Sequence, residues 1–281
     1  MRIKRKWLRA LLVLPLAFLL MGGSVRAQNP NPIQDVKVNV GGYRLQFHIV
    51  EGKSLTIVFE AGGGDDSSVW RDIVPAVARQ TGARMITYDR AGFGQSDANP
   101  GPYSITEEVE ALERGLKQLQ INGDLILVAH SYGGFVATLF AARNTSMVRG
   151  VVLIDANLAP VFTDTVVEGM MKQAPQQLEQ MRIENPQRAA GLAKLMNVFP
   201  ETVRTMRNVT LPTDLRVMDI VAQHPPMQPP DDAAWIRVHQ DFDRQSPNRR
   251  GVIATGSGHN VMRDRPALVI DEIVAMFQRA Q

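Results

Sequence analysis

Hydrophobic and polar positions along the chain predict an alternation of strands and helices. Segments 36–40 and 43–50, joined by Gly41 and Gly42, predict a β-hairpin. Apolar runs typical of buried strands occupy six further segments: 55–60, 84–88, 125–129, 150–154, 215–222 and 252–255. Helical periodicity occupies five segments: 68–80, with an irregularity at Pro75, 106–120, 135–143, 232–244 and 267–279. This alternation predicts an α/β fold, with a mostly parallel sheet flanked by helices.

One segment departs from the alternation. Residues 163–209 are rich in Met, Gln and Glu, lack any strand pattern, and are interrupted by Pro175, Pro186 and Pro200. We expect several short helices here, inserted between sheet strands as a helical cap at about residues 160–212. Five methionines of this segment either line an adaptable apolar pocket or form the core of the cap. They are Met170, Met171, Met181, Met196 and Met206.

The N-terminus has the pattern of a secretory signal peptide. Five basic residues precede residue 10, an apolar run covers 10–21, and small residues lead to Val25-Arg26-Ala27. This order predicts a signal at 1–27, cleaved after Ala27, and a periplasmic or secreted protein. The apolar run is short for a membrane span, and the alternative is an uncleaved N-terminal anchor. Residues 28–281, whose first residues are a Pro- and Asn-rich lead-in, suit one α/β domain.

Charge and cysteine content exclude several classes of function. The whole chain has a formal charge of +3, but the predicted signal contains six basic and no acidic residues. Residues 28–281 therefore carry 25 basic and 28 acidic residues, a formal charge of −3. Such a balance predicts no binding of nucleic acid or anionic membranes. The absence of cysteine excludes disulfides, thiolate catalysis and cysteine zinc sites.

The segment 125–134 carries the clearest chemical signal. A buried strand ends in His130-Ser131-Tyr132-Gly133, and a helical pattern follows at once. This is the outline of a nucleophile elbow, in which a sharp turn exposes a serine hydroxyl. The residues two before and two after the serine must be small, and they are Ala129 and Gly133. The alternative is a serine that only caps the helix.

The order of elements and four landmarks resemble the α/β-hydrolase superfamily over about residues 36–279. The first landmark is the elbow, with Ala129 where the commoner pattern has Gly. The other three segments are Glu60-Ala61-Gly62-Gly63-Gly64, Tyr88 to Ser96, and Gly256-Ser257-Gly258-His259-Asn260. They resemble the family's oxyanion loop (normally His-Gly-X), its Asp-X-X-Gly-X-Gly-X-Ser loop and its catalytic-histidine loop.

The resemblance implies a catalytic triad with Ser131 as nucleophile and His259 as base. A serine hydroxyl is a weak nucleophile until an adjacent base accepts its proton, and imidazole suits this task near neutral pH. Their wide separation in sequence is no obstacle, because triad members meet in space. The remaining histidines are weaker candidates for the base: His48, His130, His224 and His239.

The triad acid is the least determined member. Most of the family carries it after the strand that follows the cap, but 221–226 contains no carboxylate. Asp155 directly follows the strand after the elbow helix, where haloalkane dehalogenases and pancreatic-type lipases carry their acid. We therefore prefer Asp155, with Asp219 as the alternative. Asp231 and Asp232 are expected to cap a helix.

The backbone N–H groups of Gly63 and Tyr132 are the expected oxyanion donors. Tyr132 directly follows the nucleophile, and Gly63 follows from alignment with the family's oxyanion loop. Ala61 replaces the loop's usual histidine, which leaves the backbone donors intact but changes how the loop is held. The alternative interpretation of the three consecutive glycines is a flexible turn or a phosphate-binding loop. No Lys-Ser/Thr pair follows them, so a nucleotide P-loop is not expected.

Together these features predict an exported serine hydrolase that cleaves carboxylic esters, thioesters, lactones or amides. No metal or organic cofactor is implied, and the expected substrate is a moderately apolar small molecule. Serine at the elbow argues against dehalogenase or epoxide hydrolase chemistry, because those relatives use Asp there. Peptidase, carbon–carbon hydrolase and haloperoxidase activities stay open, as does the oligomeric state. The alternative from another class is a ligand-binding protein that kept the fold and lost efficient turnover.

Overall fold

The computed structural model describes residues 32–53, 55–226 and 231–281. The predicted signal peptide and its cleavage site lie outside the described residues, as do residues 28–31 of the lead-in and the end of the Pro-rich loop at 224–230.

Eight strands within the described residues form one sheet. They are β1 (Ile33–Asn39), β2 (Arg44–Val50), β3 (Thr56–Glu60), β4 (Arg84–Tyr88), β5 (Leu125–His130), β6 (Val148–Ile154), β7 (Arg216–His224) and β8 (Arg249–Gly258). Their order across the sheet is β1-β2-β4-β3-β5-β6-β7-β8. The pairs β1–β2 and β2–β4 are antiparallel, and all other pairs are parallel. The predicted fold class and hairpin are confirmed.

Helices cover both faces of this sheet. They are α1 (Val74–Thr81), α2 (Ile105–Gln118), α3 (Gly133–Arg143), α4 (Asp164–Glu184), α5 (Pro186–Met206), α6 (Asp231–Arg244), α7 (Val261–Asp264) and α8 (Pro266–Ala280). One apolar core joins α2, α3, α5 and α6 to the sheet, and a second joins α1 and α8 to the opposite face. Strands β3 and β5 are buried throughout, as expected when both faces of a parallel sheet are covered.

Helix ends differ from the predictions where capping and proline decide them. The predicted helix 68–80 is a 3₁₀ turn at Ser67–Trp70, followed by α1, in which Pro75 occupies the first turn. Proline is favoured there because the N–H groups of the first turn have no acceptor within the helix, so the missing N–H of proline breaks no hydrogen bond. Helix α2 begins earlier than predicted, because the Ser104 hydroxyl caps it by accepting from the Glu107 N–H. The short helix α7 was not predicted.

The prediction of several short helices at 163–209 is wrong. The structure has two helices of 21 residues each, α4 and α5, which pack against each other. Asn185 ends α4 and caps α5, and Pro186 starts α5. Pro175 and Pro200 lie inside the helices. An internal proline removes one backbone hydrogen bond, but here it does not end the helix, and treating each proline as a helix end produced the error.

The carboxyl ends of the parallel strands gather the candidate site at one edge of the sheet. Gly62–Gly64 follow β3, Arg90 follows β4, Ser131 follows β5, Asp155 follows β6, and His259 follows β8. In open α/β sheets this edge is where ligands bind.

Candidate active site

The turn between β5 and α3 holds Ser131 in an uncommon backbone conformation. Ser131 has a φ of 52°, in the left-handed region, which non-glycine residues adopt only where the surrounding structure enforces it. Its N–H donates to the Ile154 carbonyl at 3.2 Å, and its carbonyl accepts from the Asn157 N–H at 2.8 Å. A Cβ at Gly133 would lie 2.7 Å from the Ala61 carbonyl oxygen. The close approach expected of an elbow is therefore present.

Ser131, His259 and Asp155 lie within hydrogen-bond distance of one another in series. His259 Nε2 is 3.0 Å from Ser131 Oγ, and His259 Nδ1 is 2.6 Å from Asp155 Oδ2. Asp155 is fully buried, whereas a quarter of the His259 side chain is exposed. With a proton on Nδ1 donated to Asp155, Nε2 is free to accept the Ser131 proton. The series has the geometry of an activated nucleophile.

The second carboxylate oxygen of Asp155 is held by two N–H donors. Oδ1 accepts from the Ala222 N–H at 3.0 Å and from Trp235 Nε1 at 2.9 Å. These donors satisfy a carboxylate that has no contact with solvent. Sequence reasoning missed Trp235, because it lies on α6, 80 positions beyond Asp155.

Asp219, the alternative acid, is paired with a different histidine. It lies within β7, and its Oδ2 is 2.7 Å from His239 Nδ1, with both side chains fully buried. Burial opposes a charge on His239, but the attraction of Asp219, Asp155 and Asp243 outweighs it and leaves the pKa of His239 above its usual value. The structure thus brings Asp155, and not Asp219, to His259. The Asp232 carboxylate accepts from the Ala233 N–H, in line with its expected place at the start of α6.

The two expected oxyanion donors are neighbours. A Cβ at Gly63 would lie 3.3 Å from Tyr132 Cβ. Within the described residues, neither the Gly63 N–H nor the Tyr132 N–H has a hydrogen-bond acceptor. Two free donors beside Ser131 are what a developing oxyanion requires.

His130 supports the histidine loop, a role that sequence reasoning did not assign. Its Nε2 lies 3.0 Å from the His259 carbonyl oxygen, and the two ring centroids are 4.6 Å apart. Burial and the neighbouring His259 lower the pKa of His130 to about 3. The ring is therefore neutral, and Nε2–H donates to that carbonyl.

Helix α5 lies over the oxyanion loop. A Cβ added at Gly63 would lie 3.8 Å from the Leu195 side chain, and a Cβ added at Gly64 would lie 3.6 Å from the Leu192 side chain. Arg188 donates to the Gly64 carbonyl and, at 2.8 Å, to Asp65. Leu192 and Leu195 thus lie beside the glycines of the oxyanion loop.

The five methionines of α4 and α5 divide between cavity and packing. Met206 lines a cavity of about 430 Å³ together with Phe135 and Phe242. Three others are partly buried and pack against the core: Met170, Met171 and Met196. Met181 is also partly exposed. Met206 is also a buried member of the apolar core, so four of the five methionines belong to the packing and one of these four also lines a cavity.

Within the described residues, metal-ligand clusters and membrane-spanning helices are both absent. In the described ranges, no group of three or more His, Asp and Glu side chains is arranged to hold a metal ion. None of the helices in the same ranges has the length and apolar character needed to cross a bilayer.

Comparison with known proteins places these features in a family context. Residues 56–225 match the model of the alpha/beta hydrolase fold family. YqjL, an uncharacterised protein of Bacillus subtilis, is 26% identical over 225 residues, covering 79% of this chain and 83% of that protein. A haloalkane dehalogenase of Sphingobium indicum is 28% identical over 128 residues, or 44% of this chain and 42% of the dehalogenase.

Solved structures agree in fold. An esterase from Thermogutta terrifontis superposes with a TM-score of 0.63 at 21% identity, over 88% of this chain and 99% of the esterase. At this identity the likeness shows the fold alone.

Proposed function

The chain belongs to the alpha/beta hydrolase fold family, and on that premise we propose that it is an exported serine hydrolase that cleaves an ester-like bond. The observation that carries the proposal is the hydrogen-bonded series Ser131–His259–Asp155, with distances of 3.0 and 2.6 Å. A serine that only capped a helix would not require a histidine at its hydroxyl, nor a buried carboxylate that orients this histidine.

The reaction proceeds through an acyl-enzyme. Ser131 Oγ attacks the substrate carbonyl carbon while His259 Nε2 accepts the hydroxyl proton. The resulting oxyanion accepts hydrogen bonds from the N–H groups of Gly63 and Tyr132. His259 then donates its proton to the leaving alcohol, thiol or amine, and the tetrahedral intermediate collapses. Water repeats the sequence with His259 as base, releasing the acid and regenerating Ser131. Asp155 keeps the His259 ring in the required orientation and stabilises its cation.

The substrate class follows from the nucleophile and its surroundings. A nucleophilic serine can attack the carbonyl carbon of carboxylic esters, thioesters, lactones or amides. Among these classes we propose carboxylic esters as the preferred substrates. Leu192 and Leu195 lie beside the glycines of the oxyanion loop, so the group attached to the reacting carbonyl meets apolar side chains. A moderately apolar small molecule fits this site.

We propose that the enzyme is exported, because its first 27 residues contain a basic region, an apolar run and a small-residue cleavage site in the order found in signal peptides. Expression of the full chain in a Gram-negative host should yield a protein in the periplasmic fraction or the medium whose N-terminal sequence begins at Gln28. A membrane-bound product that retains residues 1–27 would show an anchor instead.

The function is tested by labelling residues 28–281 with a fluorophosphonate, together with hydrolysis of 4-nitrophenyl esters of increasing chain length. Wild-type protein should be labelled and should release 4-nitrophenol. Ser131→Ala and His259→Ala should abolish both signals, because they remove the nucleophile and its base. Ser146→Ala is the matched control, since Ser146 is exposed in the turn before β6, at the sheet edge opposite Asp155, and it should behave as wild type.

Two outcomes would overturn the proposal. Labelling that survives in Ser131→Ala would mean that another residue is the nucleophile. A folded wild-type protein that is neither labelled nor active on esters, thioesters, lactones and amides would be a ligand-binding protein of this fold.

A further inference from the structure

A buried group of charged residues lies directly behind the oxyanion loop. Arg90, Glu60 and Glu108 have side chains that are 3–5% exposed. Arg90 Nη1 donates to Glu60 at 2.7 Å, and Arg90 Nε lies 3.3 Å from Glu108 as an ion pair. Buried ion pairs contribute little to stability compared with apolar residues of similar volume. Three buried ionisable residues at this place therefore indicate a role other than stabilising the fold.

The Arg90 guanidinium also binds the backbone of the loop. Nη1 donates to the Ala61 carbonyl at 2.6 Å, and Nη2 donates to the Gly62 carbonyl at 2.5 Å. In a trans peptide, the C=O of one residue and the N–H of the next point in opposite directions. Fixing the Gly62 carbonyl toward Arg90 thus turns the Gly63 N–H away from Arg90. Ala61 has no polar side chain with which to hold this loop itself.

The same charged group holds the second donor residue. Glu108 accepts from the Tyr132 hydroxyl at 2.6 Å and also from the Tyr103 hydroxyl. The Arg90 guanidinium lies over the Tyr132 ring, 5.2 Å from its centroid. The Arg90 guanidinium therefore contacts the peptide group that carries the Gly63 N–H. It contacts the Tyr132 side chain both directly and through Glu108.

We propose that Arg90 is a positioning residue that sets the direction of the Gly63 N–H for the oxyanion and, together with Glu108, holds the Tyr132 side chain beside Gly63. This inference rests on the proposed function, because it presupposes a reaction with an oxyanion at Ser131. Arg90 does not touch the substrate. Its effect reaches the reaction through the Gly63 N–H, a donor that binds the transition state more strongly than the ground state.

The test is Arg90→Lys, which keeps the charge but lacks the planar fork needed to bind Glu60, Ala61 and Gly62 together. We expect kcat to fall about 10- to 100-fold, somewhat less than for outright loss of an oxyanion donor, with KM within about twofold. Affinity for a trifluoromethyl ketone analogue of the best ester, which forms an oxyanion on Ser131, should weaken by the same factor as kcat. Active-site titration corrects for any unfolded fraction.

Arg249→Lys is the matched control. Arg249 is also an almost buried arginine that donates to backbone carbonyls, those of Phe242 and Leu211, away from the oxyanion loop. A purely structural role predicts that both variants lower the melting temperature and leave kcat unchanged. That result for Arg90→Lys would overturn the inference, as would a rise in KM alone.

Tyr132→Phe decides the matter if Arg90→Lys does not fold. It removes only the hydroxyl bonded to Glu108 and leaves the buried charges paired. A fall in kcat of several-fold or more at constant KM supports the inference, and an unchanged kcat overturns it. Failure of the proposed function itself is distinguishable, because wild-type protein would then show no hydrolysis or labelling.

Discussion

Asp155 illustrates how far the place of a single residue in the fold could be predicted from sequence. Its place directly after a predicted strand put it at the sheet edge that carries Ser131, and the structure brings its Oδ2 to 2.6 Å from His259 Nδ1. The donors to its other oxygen, Trp235 and the Ala222 N–H, could not be predicted. Their approach depends on how α6 and β7 pack, which no local pattern encodes.

Asp155→Asn should lower kcat by about 10³- to 10⁴-fold, because an amide facing Nδ1 disfavours the tautomer in which Nε2 accepts the serine proton. The fold should persist, since Asn retains an oxygen for the Trp235 and Ala222 donors. Steady-state kinetics with a 4-nitrophenyl ester, supported by thermal melting, measures this.

Asp219→Asn is the matched control for this assignment. Asp219 bonds His239 and not His259, so the variant is expected to lose stability but to keep kcat within about tenfold per active site. Near-normal turnover in Asp155→Asn combined with an inactive Asp219→Asn would assign the acid to Asp219.

Strands and most helices followed from hydrophobic periodicity, while the number and length of the helices at 163–209 did not. Burial imposes a regular pattern on strands such as β3 and β5, and that pattern is readable without knowing the neighbours. Helices α4 and α5 are held partly by contacts with each other and with distant loops, such as Arg188 with Gly64 and Gln187 with the Gly94 carbonyl. Such long-range contacts cannot be read from the local sequence pattern of these helices.

The close packing of α5 predicts that glycine-to-alanine substitutions at two helical positions change the free energy of unfolding in opposite directions. A Cβ at Gly191 on α5 would lie 2.9 Å from the Gly92 carbonyl oxygen and 3.0 Å from the Phe93 ring, whereas a Cβ at Gly169 on α4 would meet nothing within 4 Å. Gly169→Ala should raise the free energy of unfolding by up to about 1 kcal/mol, through helix propensity alone. Gly191→Ala should lower it by about 1–3 kcal/mol, because the clash exceeds that gain.

Urea unfolding of the two variants and of wild type measures the difference. Gly191→Ala should also change KM for long-chain esters, because a displaced α5 moves Leu192 and Leu195 relative to the oxyanion loop. Equal stabilisation by both alanines would show that α5 does not rest on the Gly92 loop.

At the scale of the whole molecule, the buried charges make stability depend on pH. Burial raises the pKa of Glu60 from 4.5 to about 7, against the opposing attraction of Arg90, and burial also raises the pKa of Glu108. One guanidinium facing two carboxylates is electrically neutral when one carboxylate holds a proton. The folded protein therefore retains a proton that the unfolded chain has already released above pH 4.5.

It follows that this cluster loses stabilising free energy as pH rises from about 4.5 to about 7, because the folded state binds more protons than the unfolded state across that window. His130 acts in the opposite direction: with a pKa lowered to about 3, it costs stability as pH falls below about 6.5. Comparison with Glu60→Gln isolates the first effect, since His130 is common to both proteins. Urea unfolding at several pH values should show wild type losing stability relative to Glu60→Gln between pH 4.5 and 7. A difference that is constant with pH would mean that burial does not raise the pKa of Glu60 in the folded protein.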